Sequence, residues 1–290
     1  MKLCAMLSLY PPAKDGHEMI TAMRRLHANG FRYVDFSGNM IRRPENELYG
    51  DDWEKKLEEI IRVRDELGLT FLQSHLPQSN KIYLQKGIDD PKCEKNPQFI
   101  RDFERALHCA GRLGVKHAVV HAMQTLKYRF DREANLEYNW DFYHKYVDIA
   151  NGYGMKLCFE NLNDQPQGRR FSVAPDEMIA LVKLFGEDKV GLCWDFGHGH
   201  RCYGFDQLEA LTPLMPYLHA THIDDNMGKE DLHLMPTLGQ VKWDEVVSFL
   251  RKHNYQDAFC LEVKFIKCVP ADCQDAAGDL LYKVGQSLLK

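Results

Sequence analysis

No stretch of this chain approaches the roughly 20 consecutive apolar residues that a membrane-spanning helix requires, which argues against a helical membrane protein. No long basic run is present either: 37 Lys and Arg stand against 42 Asp and Glu, for a formal charge of −5. That balance lacks the electrostatic footprint of a nucleic-acid or anionic-membrane binder and argues against both as partners. The nine cysteines include no C-x-x-C pair, so thiolate metal ligation has no spacing to support it. Cys4, Cys158, Cys193 and Cys260 fall inside apolar runs and read as reduced, buried, small apolar side chains of a cytoplasmic protein. The apolar N-terminus soon meets Pro11-Pro12 and carries no A-x-A cleavage site, so it reads as a first strand and not as a signal peptide. That strand runs into Tyr10-Pro11-Pro12-Ala13-Lys14, not G-x-G-x-x-G, which disfavours a doubly wound dinucleotide-binding sheet. Low-complexity linkers and short repeats are lacking too, so residues 1–290 read as one domain.

What is present is an alternation. Short apolar, β-rich runs are each followed by a loop and then by an amphipathic stretch at helical spacing. Strands are predicted over Lys2–Leu9, Tyr33–Ser37, Thr70–His75, Lys116–Ala122, Lys156–Asn161, Val190–Asp195, Ala220–Asp224 and Ala258–Lys264. Between them, Trp53, Leu57, Ile60, Ile61 and Leu67 make one helical stripe, and Ile100, Phe103, Leu107, Ala110 and Leu113 another; Val246, Val247 and Leu250 mark a third. Gly30, Gly68, Gly114 and Gly154 each stand between a helical stretch and the next strand, as C-terminal caps do. Asn139, Asp176 and Asp244 are expected near helix starts, and Pro213 and Pro216 interrupt a short sixth helix. Eight strand–helix units in series predict a parallel sheet, and eight is the count that closes a (β/α)8 TIM barrel.

The strand ends carry the chemistry. The third ends in His75, the fourth in His121, the fifth in Glu160-Asn161, and the sixth in Asp195 with His198 just beyond. The seventh ends in His222 and runs on to Asp224; the eighth carries Glu262 and, at the same parity, Lys264. Side chains alternate across a strand, so residues two back share a face. Two behind the proposed ligands lie Cys158, Cys193, Ala220 and Cys260, small groups suited to a barrel interior below a polar mouth. A lone imidazole or carboxylate at a strand end is more often a satisfied polar residue than a ligand. The weight rests on the joint pattern of Glu160, Asp195, His222 and Glu262 at one depth on four successive strands. Such groups facing one another repel unless a cation joins them. Three carboxylates and an imidazole suit one divalent metal: Mn²⁺, Mg²⁺, Co²⁺ or Zn²⁺. His17, His27, His108, His144 and His253 fall on helical patterns and read as solvated or capping, while His117 and His219 lie at strand starts, at the stability face. Arg129, Arg132, Arg169 and Arg170 stand in loops, where solvated charge is the plainer account and a phosphate contact the sharper one.

These strand ends resemble the xylose isomerase-like TIM barrels, a superfamily of sugar and sugar-phosphate isomerases and epimerases that also contains endonuclease IV. The likeness runs along nearly the whole chain. It rests on Phe159-Glu160-Asn161, Trp194-Asp195-Phe196-Gly197-His198 and His222-Ile223-Asp224-Asp225, then Asp231-Leu232-His233 followed by Pro236, Gly239, Val241 and Trp243, and Leu261-Glu262. In the epimerase branch the resemblance implies metal ligation by Glu160, Asp195, His222 and Glu262, proton transfer by Glu160 and Glu262, and a substrate contact by His198. In the endonuclease branch it implies three zincs on nine residues, all with counterparts here: His75, His121, Glu160, Asp195, His198, His222, Asp231, His233 and Glu262. Two features depart from the endonuclease pattern. The stretch from His233 to Gly239 is longer, and Asp195-Phe196-Gly197-His198 lacks the Thr-Cys pair usual in the repair enzymes.

The expectation is therefore a divalent-metal-dependent sugar or sugar-phosphate isomerase or epimerase. It would move a proton through an enediolate with Glu160 and Glu262 as catalytic residues. His75, His121, His198, Asp231, His233 and Lys264 would contact substrate. Its partner would be a small-molecule sugar, in a chain that could form homo-oligomers. The alternatives are a three-zinc phosphodiesterase, other sugar chemistry such as dehydration or C-glycoside cleavage, and a binding protein without turnover.

Overall fold

The computed structural model describes residues 1–13, 17–79, 93–124, 131–164 and 170–290; Lys14, Arg129 and Arg169 lie outside them. Eight parallel strands close in sequence order, β8 pairing back onto β1. The strands are β1 Lys2–Met6, β2 Tyr33–Ser37, β3 Thr70–His75, β4 His117–His121, β5 Lys156–Glu160, β6 Val190–Asp195, β7 Leu218–Ile223 and β8 Ala258–Leu261. The helices are α1 Glu18–Ala28, α2 Trp53–Leu67, α3 Pro97–Arg112, α4 Arg132–Gly152, α5 Pro175–Phe185, α6 Phe196–Tyr203, α7 Gln207–Leu211, α8 Trp243–Lys252 and α9 Gln274–Leu288. This is the predicted (β/α)8 TIM barrel.

Strands covered on both faces should read as continuous apolar runs, and all six residues of β6 are buried. Outward-facing Phe36, Phe71, Phe159, Trp194 and Phe259 join the helices in one core. Inside the barrel, Val119, Cys158, Cys193 and Ala220 form a separate buried cluster of small groups. Cys158, Cys193 and Ala220 are thus the layer expected beneath the polar mouth, while Cys260, expected with them, is buried in the larger core and Val119 completes the small cluster. Helix starts follow local chemistry: Asn96 accepts the N–H of Gln98 with Pro97 at the first position of α3, and Asp131 accepts the N–H of Ala134 at α4. Gly68 closes α2 at φ 61°, in the left-handed region where a Cβ is disfavoured.

Four expectations need correction. First, β1 stops at Met6 and Leu7–Leu9 form a 3-10 turn, because the chain there turns out of the sheet before Pro11. Second, β7 begins two residues earlier than predicted, at Leu218, and its register against β6 shifts so that His219 is extra. Third, Asn139 lies in mid-α4 rather than at a helix start. Fully buried, it accepts the N–H of Met123 and donates to the Met123 carbonyl, latching the loop after β4. Fourth, β8 ends at Leu261 and the chain then leaves the sheet. The N–H of Lys264 bonds to the His233 carbonyl. Strand parity therefore does not carry Lys264 inward, and its side chain is exposed.

Candidate metal centre

Register sets the depth of each group. His121 pairs with Glu160, and Asp195 with His222. Glu262 stands one residue beyond β8, its N–H still held by the Ile223 carbonyl. His222 then presents Nδ1 to three carboxylates: Glu262 Oε2 at 2.9 Å, Glu160 Oε1 at 3.0 Å and Asp195 Oδ2 at 3.8 Å. One ligand atom from each of these four residues lies within 4.8 Å of the others.

Two further groups adjoin this one. His75, His121 and Glu160 meet around Glu160 Oε2, with His121 Nε2 at 2.8 Å and His75 Nε2 at 3.3 Å. Asp224, Asp231 and His233 form the other, where Asp231 Oδ2 lies 3.4 Å from His233 Nε2 and 3.5 Å from His198 Nε2. The fold thus brings together every predicted site residue except Lys264.

Local chemistry aims these groups. Asp195 caps α6 by accepting the His198 N–H at 2.6 Å, which fixes its carboxylate at the mouth. Asn161 clamps the Asp195 backbone from both sides, accepting its N–H and donating to its carbonyl. Three imidazoles bond a backbone carbonyl through Nδ1: His75 to Leu76, His198 to Asn161 and His233 to Glu262. The carbonyl can only accept, so each Nδ1 carries a proton and Nε2 is the nitrogen left to face the site. Metal-ligating histidines have this arrangement. Gly197 is required because a Cβ there would stand 2.0 Å from Asp224 Oδ1.

The electrostatics are those of a crowd of acids and bases in a dry space. Burial pushes Glu160 upward, but His222 and His121 outweigh it and hold it well below the usual carboxylate range. Burial is likewise outweighed at Glu262, where His222 and His233 bring the carboxyl to about 2. At Asp224 burial prevails, reinforced by Asp195 and Glu262, and the carboxyl is pushed well up. His198 rises to about 10 against its burial, through Asp195 and Asp231. Burial lowers His121 to about 4 despite Glu160.

The residues fit a cation. Buried Asp195 Oδ2, His222 Nε2, Asp231 Oδ1 and both Asp224 oxygens have no hydrogen-bond partner. Glu160 Oε2 joins them, since His121 Nε2 approaches it closely but without hydrogen-bond geometry. Unpaired buried acceptors are costly, and three carboxylates converging with an imidazole form an oxygen-rich donor set for a divalent ion.

Sequence reasoning missed Asp35. It is fully buried on β2, its Oδ2 has no partner, and burial pushes its carboxyl to about 6, partly countered by His222 and His75. The signal was available as a lone acid in the apolar run Tyr33-Val34-Asp35-Phe36-Ser37. Arg132 forms an exposed pair with Asp176, as solvated loop charge does.

A closed (β/α)8 barrel whose C-terminal mouth gathers acids and imidazoles around shared points defines a class of cation-competent barrels. Within that class the chain belongs to the xylose isomerase-like TIM barrel family, whose model matches residues 23–279. An uncharacterized protein of Methanocaldococcus jannaschii is 27% identical over 134 residues, covering 46% of this chain and 45% of that protein. The match thus spans less than half of that relative. A D-psicose 3-epimerase solved in the presence of D-fructose superposes with TM-score 0.71 at 18% identity, covering 100% of this chain and 99% of the other. The IolI protein with a bound zinc atom superposes with TM-score 0.71 at 18% identity, over 100% and 98% of the two chains. At such identity these two likenesses are likenesses of fold. Among the described residues no helix is long and apolar enough to cross a membrane.

Proposed function

We propose that this protein is a divalent-metal-dependent isomerase or epimerase of a monosaccharide. The observation that carries the reading is the pair of glutamates that meet at one imidazole nitrogen, Glu262 and Glu160 at 2.9 and 3.0 Å from His222 Nδ1. Glu160, Asp195, His222 and Glu262 would hold the ion. Bound there, it supplies Lewis-acid polarisation of a carbonyl and its neighbouring hydroxyl.

The remaining work falls to the chain. Glu262 is the most open of the four, its side chain 20% exposed, and it lines a cavity of about 200 Å³. It is placed to take the proton from the carbon between carbonyl and hydroxyl, giving an enediolate. Glu160, at 1% exposure, reaches the same nitrogen and, once it has taken up a solvent proton, would return it to the substrate. Return to the opposite face of the same carbon is epimerisation; return to the adjacent carbon is isomerisation. His198 and His233 both aim Nε2 at Asp231 Oδ2, and this cluster would orient substrate hydroxyls. The epimerase and zinc-bound neighbours support this reading at the level of fold.

The test is a panel of aldoses and ketoses incubated in D₂O with the manganese-loaded protein. One substrate should gain carbon-bound deuterium; a panel with no exchange would sink the proposal. A second reading is favoured by one observation. The two groups flanking the main one complete the nine-residue set that resembles a three-zinc phosphodiesterase. Cleavage of abasic DNA together with three zincs per chain would establish it instead.

A further inference from the structure

We propose that the cavity beside Glu262 ends in an anion subsite, and that the sugar turned over there carries a terminal phosphate or carboxylate. The inference rests on the isomerase or epimerase reading and extends it to the substrate's charge. The cavity of about 200 Å³ opens at the ends of β1, β2 and β8. Its inner wall is His75 and Glu262, groups of the metal centre; its outer wall includes Asn39, Arg43 and Lys267. Drug-sized ligands fill pockets of roughly 300–1,000 Å³, so this one suits a monosaccharide. With the reacting carbons at Glu262, the far end of the sugar meets the outer wall.

That outer wall offers hydrogen-bond donors. Lys267 sits in the 3-10 turn after β8, Phe265–Cys268, with its N–H on the Lys264 carbonyl. Among the described residues no carboxylate pairs with its ammonium within 4.0 Å, although Glu262 and Glu18 are near enough to be felt. Arg43 spends one nitrogen, Nη1, on Glu18. Asn39 uses its Oδ1 to accept the N–H of Gln78, which leaves its amide N–H groups as donors. Desolvation in the cavity wall, with Arg43 and Lys264 close by, holds Lys267 below the usual lysine range. A neutral sugar would cover this cation without answering its charge, which is unfavourable. A phosphate or carboxylate would answer it with charge-assisted hydrogen bonds. A lysine serving only to neutralise Glu262 would be ion-paired with it, and Lys267 is not.

The experiment uses the metal-loaded full chain, the exposed-site variant Lys267→Gln and the conservative Lys267→Arg. Inorganic phosphate is titrated into each and followed by calorimetry. In parallel, deuterium exchange is measured on a neutral ketose, its terminal phosphate and the corresponding uronate. Phosphate should bind the wild type at least tenfold more tightly than Lys267→Gln, with Lys267→Arg close to wild type. The phosphate or the uronate should exceed the neutral ketose in kcat/KM at least tenfold, and Lys267→Gln should remove that preference through KM. Which anion is preferred identifies the source of the charge. Equal phosphate affinity in wild type and Lys267→Gln overturns the subsite, as does a neutral ketose used as well as its anionic forms. If no sugar exchanges at all, the functional reading fails, and the phosphate titration still decides the subsite.

Discussion

The carboxylate of Glu262 stands 2.9 Å from Nδ1 of His222, although the two residues come from neighbouring strands and Glu262 itself lies past the end of its own. Its main chain is held twice, its N–H by the Ile223 carbonyl and its carbonyl by His233 Nδ1. The group is therefore held by the main chain while its side chain stays open to the cavity.

Replacing Glu262 with Gln keeps the shape and removes the base. Deuterium exchange should fall by about 10²–10⁴-fold, the usual contribution of a positioned general base. Exchange is compared at saturating manganese, because Glu262 is one of the four ligands and its loss should also weaken metal binding. Exchange at the wild-type rate would remove Glu262 from the mechanism.

Removing metal should cost stability as well as activity. A ligand held only by the native state at 100 times its Kd adds about 2.7 kcal/mol. Chelation should therefore lower the melting temperature, and manganese should restore it. Elemental analysis should find close to one divalent ion per chain. Insensitivity of both melting and exchange to chelator would refute the metal centre.

Asp225 is a latch for the loop between β7 and α8. Its Oδ1 accepts the N–H groups of Asn226 and Val241, and its Oδ2 those of Thr237 and the Trp243 indole, all within 3.0 Å. Gly239 must lack a Cβ, which would stand 2.2 Å from Asp225 Oδ1. Asp225→Ala strands four donors at once and should destabilise by about 3–5 kcal/mol in urea titrations. A loss under about 1 kcal/mol would mean that the loop holds without this latch.

The floor of the barrel sets an acid limit. His117 stacks on His219 at 5.2 Å, and burial, helped by His219 and Lys156, lowers its pKa from 6.5 to about 3. Between those values the unfolded chain binds the proton and the folded chain does not, so stability falls as pH drops from about 6.5 toward 3. At pH 5 this amounts to at most about 2 kcal/mol, less for a ring still partly exposed. The stability lost between pH 7 and pH 5 should be smaller in His117→Gln than in wild type. Parallel pH profiles for the two proteins would count against this account.

The barrel was legible because its signals are local. Alternating β-rich runs and amphipathic stripes gave eight strands, and Gly30, Gly68, Gly114 and Gly154 all adopt positive φ at the helix ends where they were expected. Strand limits were less legible. In β1 and β8 the apolar run outlasts the pairing, because an apolar residue in a 3-10 turn or an exit loop looks the same as one in a strand. Asn139 was misplaced for a related reason: its partner, Met123, lies in a loop that no periodicity describes.

The sequence alone determined that Glu160, Asp195, His222 and Glu262 share one depth, because side-chain alternation and strand order fix depth once a barrel is assumed. It could not determine which nitrogen each imidazole offers, that buried Asp35 faces the site, or that Lys264 leaves the mouth while Lys267 lines the cavity. Those outcomes depend on backbone carbonyls, bulges and strand exits supplied by residues distant in the chain. Only closure of the tertiary structure brings such groups within hydrogen-bond range.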